Sequence, residues 1–269
     1  MARHFRNFLK FAALAAVLLA GCATAVPPSV EAAHTLAPNE TLRVGLYPGS
    51  PTSIIEDPKG AKGLGYDLGK ELAKRLGVSF VPVVFPKNAD LLAALKAGKV
   101  DLSFTNASPQ RQKEMDFSAT VLEAEKGYLV AGASPIHELV EVDQPSMRIG
   151  VSQGSTTESE LRGELKQALM VRVATLDDAT QMLSSGQLDV FATNKAILFE
   201  LSDRLPGARV LDGRWGLEHF AFAIPKGRDP ALAYLNQLVA DLQAEGLVNQ
   251  AVARVGLRGT LSTGAGSSP

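Results

Sequence analysis

The stretch Arg43-Val44-Gly45-Leu46-Tyr47-Pro48-Gly49-Ser50 returns later in the chain as Arg148-Ile149-Gly150-Val151-Ser152-Gln153-Gly154-Ser155. Both follow R-[VI]-G-x-x-x-G-S. Further on, Leu95 to Asn106 and Leu183 to Asn194 share a second pattern, L-x-x-G-x-[VL]-D-x-x-x-T-N. Two matches in the same order mark an internal duplication, and a duplication sets the architecture before any single element is assigned. Around the first copy, Thr41–Tyr47 reads as a strand, and Leu68, Leu72 and Leu76 fall at i, i+4 and i+8 of a helix that Gly77 ends. Val78–Phe85 is β-branched and strand-like, Ala89–Ala97 is helical, and Val100–Phe104 is again a strand. Around the second copy the order repeats: strand 148–152, helix 156–168, strand 169–173, helix 177–185, strand 188–192. Alternating strands and helices specify parallel sheets with right-handed crossovers. The expected fold is therefore α/β, two lobes with parallel-rich sheets enclosing a cleft. In such sheets ligands sit beyond the carboxyl ends of strands, which is where Gly49-Ser50, Gly154-Ser155, Thr105-Asn106 and Thr193-Asn194 stand.

The rest of the sequence narrows the function. Its 269 residues carry 27 Lys and Arg against 28 Asp and Glu, so no basic excess favours a nucleic acid. A single cysteine, Cys22, forbids an intramolecular disulfide or a multi-thiolate zinc site. The four histidines show no metal-ligand spacing, and no cofactor motif is present: Gly63-Leu64-Gly65 has Leu68 where a dinucleotide fingerprint needs its third glycine. Glu123 and Glu125 read as a solvated strand edge, Trp215 as buried packing near a strand crossing, and Glu218-His219 as core or surface positions of a strand that borders the cleft.

Arg3, Arg6 and Lys10 precede an apolar run from Phe11 to Ala20 that is too short to span a bilayer. This is the composition of an export signal over 1–21. Leu19-Ala20-Gly21-Cys22 is similar to a bacterial lipobox, which makes Cys22 the acylated N-terminus of a lipoprotein at the periplasm or cell surface; ordinary cleavage after Ala23-Thr24-Ala25 is the alternative. Residues 22–40 read as a tether, 41–130 with 220–258 as a discontinuous first lobe, 131–219 as the second, and 259–269 as a flexible tail.

The chain also resembles the bacterial extracellular solute-binding proteins of family 3, receptors of ABC uptake systems. The resemblance rests on Gly63-Leu64-Gly65-Tyr66-Asp67-Leu68-Gly69, on Leu95 to Asp101, and on Ser108-Pro109-Gln110-Arg111 followed by Met115-Asp116-Phe117-Ser118. It extends to Ile149 to Thr156 and to Ala223-Ile224-Pro225-Lys226-Gly227. It implies a type II periplasmic binding protein-like fold with two hinge strands, near Tyr128–Gly132 and Gly216–Phe222, and a helix over Pro230–Val255 that closes the first lobe. It implies a monomer without cofactor that passes a small solute to an ABC permease; a periplasmic dehydratase-like enzyme on the same fold is the alternative.

The family's carboxylate-clamping arginine falls on Arg111, and its donor turn on Ser155 and Thr156. Thr105, Asn106 and Ser108 are further candidate contacts, and Tyr47 a candidate aromatic. At the position of the family's ammonium-binding Asp stands Asn194, a neutral amide that cannot balance a buried ammonium. Lys195 beside it reads as a surface residue of the following helix, although its charge also suits a second anionic group on the ligand. These residues point to a carboxylate-bearing solute, an amino acid or a related organic acid, without the usual counter-charge for an amine.

Overall fold

The computed structural model describes residues 29–261; the export signal, Cys22 and residues 262–269 lie outside them. In chain order the elements are α1 (Val30–Leu36), β1 (Thr41–Leu46), α2 (Leu64–Leu76), β2 (Ser79–Val84), α3 (Asn88–Lys96), β3 (Leu102–Asn106), β4 (Met115–Phe117) and β5 (Leu122–Val130). They continue as β6 (Arg148–Ser152), α4 (Thr156–Glu164), β7 (Leu169–Val173), α5 (Leu176–Ser184), β8 (Val190–Asn194) and α6 (Lys195–Arg204). The last are β9 (Arg209–Val210), β10 (Gly216–Pro225), α7 (Asp229–Ala244), α8 (Leu247–Val255) and β11 (Thr260–Leu261).

The strands join along one path, β2-β1-β3-β10-β5-β8-β6-β7. Its outer thirds, β2-β1-β3 and β8-β6-β7, are parallel and come from the duplicated segments. The two long strands between them run antiparallel to their neighbours. β5 pairs with β10 over Leu122–Lys126 and with β8 over Lys126–Val130, so it changes partner at Lys126. β5 thus belongs to both halves of the sheet and β10 joins it to the first, and the ends of β3 and β8 converge on these two strands. The α/β fold with two parallel-rich sheet halves is the one expected from the sequence.

Each half is built on its own core. On the first, Val44 of β1, Leu68 and Leu72 of α2 and Phe104 of β3 are buried with Phe222 of β10 and Leu238 of α7. Phe104 and Phe222 stand opposite each other in register, ring centroids 5.6 Å apart and edge to face. On the second, Phe191 of β8 packs with Leu183 of α5 and Leu201 of α6, and Ile149 and Val151 of β6 form a further cluster with Leu161 of α4. Tyr47 and Leu91 join the Phe191 cluster from the opposite half, so apolar contact as well as sheet pairing links the two.

Three expectations need correction. Residues 22–40 are not tether throughout: α1 is capped by Ser29, whose hydroxyl accepts from the Ala32 amide at 3.1 Å, and it buries Ala32 and Leu36 in the first core beside α7. The 259–269 tail contains β11, which pairs with β5. The helix expected over Pro230–Val255 is two helices, because Gly246 adopts a left-handed φ of 70° that ends α7 and starts α8.

Candidate functional site

Where the halves meet, a cavity of about 60 Å³ lies between the end of β1, the ends of β3 and β8, the start of α4 and the middle of β10. Arg111, Thr105, Asn106 and Tyr47 line it from one side. Ser155, Thr156 and Asn194 line it from the other, and Glu218 of β10 forms part of its wall. Of the eight residues expected at the site only Ser108 does not line this cavity; its hydroxyl accepts from the Arg111 amide at 3.3 Å and so fixes the turn that presents Arg111.

Arg111 is buried, with 9% of its surface exposed. Its Nη1 donates to Thr105 Oγ1 at 2.9 Å and to the Asn106 carbonyl at 3.2 Å, and its Nη2 reaches across the cleft to the Gly154 carbonyl at 3.2 Å. Among the described residues no carboxylate forms an ion pair with it. Burial pulls its pKa down, and the nearby Glu218 charge works against that shift.

The donor turn at the start of α4 is partly engaged within the protein. Ser155 is the N-cap, accepting from the Glu158 amide at 3.0 Å, and its own amide donates to the Ser152 carbonyl. The Gly154 amide donates to Glu158, which is itself paired with Arg162 and Arg172. Tyr47 is buried beside Ser152, and its hydroxyl has no hydrogen bond of normal geometry among the described residues. Burial pushes its pKa up to about 12.

Asn106 and Asn194 play matching parts. Asn106 Oδ1 accepts from the His219 amide at 2.8 Å, while its Nδ2 donates to Thr156 Oγ1 at 2.9 Å. Asn194 Oδ1 caps α6 by accepting from the Ile197 amide at 3.2 Å, and its Nδ2 donates to Glu218 Oε2 at 2.9 Å. Thr156 Oγ1 donates to Glu218 Oε1 at 3.0 Å. Glu218, read from the sequence only as a core or surface position on a strand bordering the cleft, is therefore a buried part of the site itself. Asn194 is itself neutral, as read from the sequence, but a carboxylate, Glu218, lies within hydrogen-bonding distance of it. Burial raises the Glu218 pKa, against the opposing charges of Lys126 and Arg111 and the two hydrogen bonds.

The remaining charges near the cleft are paired elsewhere. Lys195 is bonded to Glu125 at 2.9 Å, which also holds Arg214, so Lys195 is committed to β5 and does not line the cavity. Lys126 pairs with Glu160 and sits over the Trp215 ring. Trp215 is half-buried, stacks on Tyr128 and donates to the Gly127 carbonyl at 3.2 Å. His219 is half-exposed and lies 3.1 Å from Glu123.

Residues 42–256 match the profile of the bacterial extracellular solute-binding proteins, family 3. The lysine/arginine/ornithine-binding periplasmic protein of Escherichia coli K12 is 28% identical over 251 residues, 88% of this chain and 94% of its own. The glutamine-binding protein GlnH of an ABC transporter of Bacillus subtilis strain 168 is 24% identical over 189 residues, 69% of each chain. Among solved structures, an ancestral amino acid-binding protein described as a precursor of cyclohexadienyl dehydratase superposes with a TM-score of 0.73 at 26% identity, covering 82% of this chain and 98% of that one.

Proposed function

The chain belongs to the bacterial extracellular solute-binding proteins of family 3, and from that premise we propose that it captures a small carboxylate-bearing solute, an amino acid or a related organic acid, and presents it to an ABC permease. The observation that carries this reading is Arg111. A guanidinium buried at a cavity wall without an ion-pair partner among the described residues is complementary to an anion brought by the solute. The two lobes, 41–130 with 220–258 and 131–219, close on the solute by bending where β5 and β10 pass between the halves. The protein acts as a monomer outside the cytoplasmic membrane, held there by a lipid on Cys22.

A thermal-shift screen against L-amino acids and small organic acids tests the binding function. A solute at 100 times its dissociation constant stabilises the folded state by about 2.7 kcal/mol, and truncating a buried charge partner costs about 2–5 kcal/mol of binding. At the same solute concentration Arg111→Ala is expected to reduce the shift to about a third or less; an undiminished shift in that variant overturns the carboxylate clamp. Loss of fatty-acid labelling in Cys22→Ser is the corresponding check on the anchor. The second reading, a dehydratase-like enzyme, is favoured by the similarity to a dehydratase precursor. Product formed from hydroxylated carboxylic acids by the purified protein supports that reading.

A further inference from the structure

Glu218 and Arg111 are the two charged residues of opposite sign lining the cavity, and among the described residues neither forms an ion pair. The hydrogen bonds around Glu218 fix its chemistry. Asn106 Oδ1 is taken by the His219 amide, so its Nδ2 must be what faces Thr156. The Thr156 hydroxyl, receiving that hydrogen, gives its own to Glu218 Oε1. Asn194 Oδ1 is likewise taken by the Ile197 amide, which leaves Nδ2 to donate to Oε2. Both carboxylate oxygens are thus acceptors, an arrangement that suits the ionised side chain and offers a carboxyl proton no acceptor within the network. The positive groups nearest in effect, Lys126 and Arg111, are bonded to Glu160 and to Thr105, Asn106 and Gly154. They act on Glu218 through space and not by contact.

Resting on the carboxylate-receptor reading above, we propose that Glu218, from the strand that returns between the halves, binds the cationic amine of the solute, and that Asn194 is a positioning residue that holds Glu218 in place. The solute is then a zwitterion, with its carboxylate at Arg111 and its ammonium at Glu218. Such a solute leaves the cavity neutral, whereas a purely anionic acid sets a second negative charge beside Glu218 with no cation of its own. Asn194→Asp alone brings no new counter-charge, because two carboxylates within hydrogen-bond distance share one proton. Moving the charge requires both changes, Asn194→Asp with Glu218→Gln.

Calorimetry tests this with the twenty common L-amino acids and, for the tightest binder, the matching acid that lacks the α-amine. Wild type is expected to prefer the amine-bearing partner by about thirtyfold or more. Glu218→Gln reduces that preference to about threefold or less, and Asn194→Asp/Glu218→Gln restores most of it, a rescue that a merely structural Glu218 does not give. If Glu218→Gln does not fold, Asn194→Ser keeps the α6 cap but removes the amide donor to Oε2. The preference is then lost on acidification at a higher pH than in wild type, with Lys126 and Arg111 unchanged around the carboxylate. Equal binding of the matched pair by wild type, a preference retained in Glu218→Gln, or an unmoved pH midpoint in Asn194→Ser overturns the proposal while leaving the carboxylate receptor standing. Binding of no carboxylate of either kind by wild type overturns both.

Discussion

Arg43 with Asp101 and Arg148 with Asp189 are one clamp in two surroundings. Each arginine lies in the first strand of its half, and each aspartate immediately precedes the third. In the first half, the Arg43 amide and Nε donate to Asp101 Oδ2 at 3.0 and 2.8 Å and Nη2 donates to Oδ1 at 2.7 Å. In the second, the same atoms of Arg148 reach Asp189 at 2.8, 2.9 and 2.8 Å. Around Asp101, however, the chain returning into α7 brings Arg228 to 3.6 Å, and the Asp101 side chain is fully buried. Asp189 has no second cation within ion-pair distance among the described residues and is one-third exposed. The duplicated sequence therefore encodes a fastening between adjacent strands, and the surroundings decide how much that fastening contributes.

Asp101→Ala is the sharpest test of that difference. It strips two arginines of a buried partner and is expected to cost about 3–5 kcal/mol of folding stability. Asp189→Ala, at a partly solvated pair, is expected to cost about 1 kcal/mol; equal losses in denaturant titrations would remove the distinction. The glycines of the repeat should behave alike instead. A Cβ on Gly45 meets Leu91 Cδ1 at 2.5 Å and Val100 at 3.1 Å, and one on Gly150 meets Leu188 Cδ1 at 2.5 Å and Phe191 at 3.0 Å. Both Gly→Ala variants are expected to lose about 1–3 kcal/mol through overpacking, and thermal melts that differ widely between them would show the copies to be packed differently.

The smallest effect concerns acid. Hydrogen bonding to Arg148 holds the Asp189 pKa below its ordinary 3.8. A carboxyl with a lowered folded-state pKa contributes stability above its unfolded pKa and loses it as pH falls through the folded value. Wild type should therefore lose an increment of up to about 1 kcal/mol below pH 3.8 that Asp189→Asn lacks from the outset. Parallel stability curves for the two proteins across that range would count against the clamp.

Most of the scaffold was legible because duplication, periodicity and helix-ending glycines are local. Arg111 was legible through its motif, and Asn106 and Asn194 through their paired placement after two strands. Glu218 was legible as a position beside the cleft but not as a buried carboxylate of the site, because a single acidic residue in Gly216-Leu217-Glu218-His219-Phe220 carries no mark of burial. Its role arises where it meets Thr156 and Asn194, 62 and 24 residues away in sequence. The helix α1 was hidden for a different reason: seven residues are too few to be helical alone, and its stability comes from docking Ala32 and Leu36 on the first core.

The bonds that cross the cleft also bear on how fast a solute is taken up. Arg111 and Asn88 both donate to the Gly154 carbonyl, at 3.2 and 3.3 Å, and Asn106 donates to Thr156. These links tie one half to the other through residues that line the cavity, so any widening of the cleft there parts them. Under the proposed receptor function, a solute that enters by such widening is captured in two steps, opening followed by encounter, and the first does not depend on concentration. In stopped-flow traces the observed rate should then level off at high solute at the rate at which these bonds part, and Asn88→Ala, which removes one of them, is expected to raise that plateau.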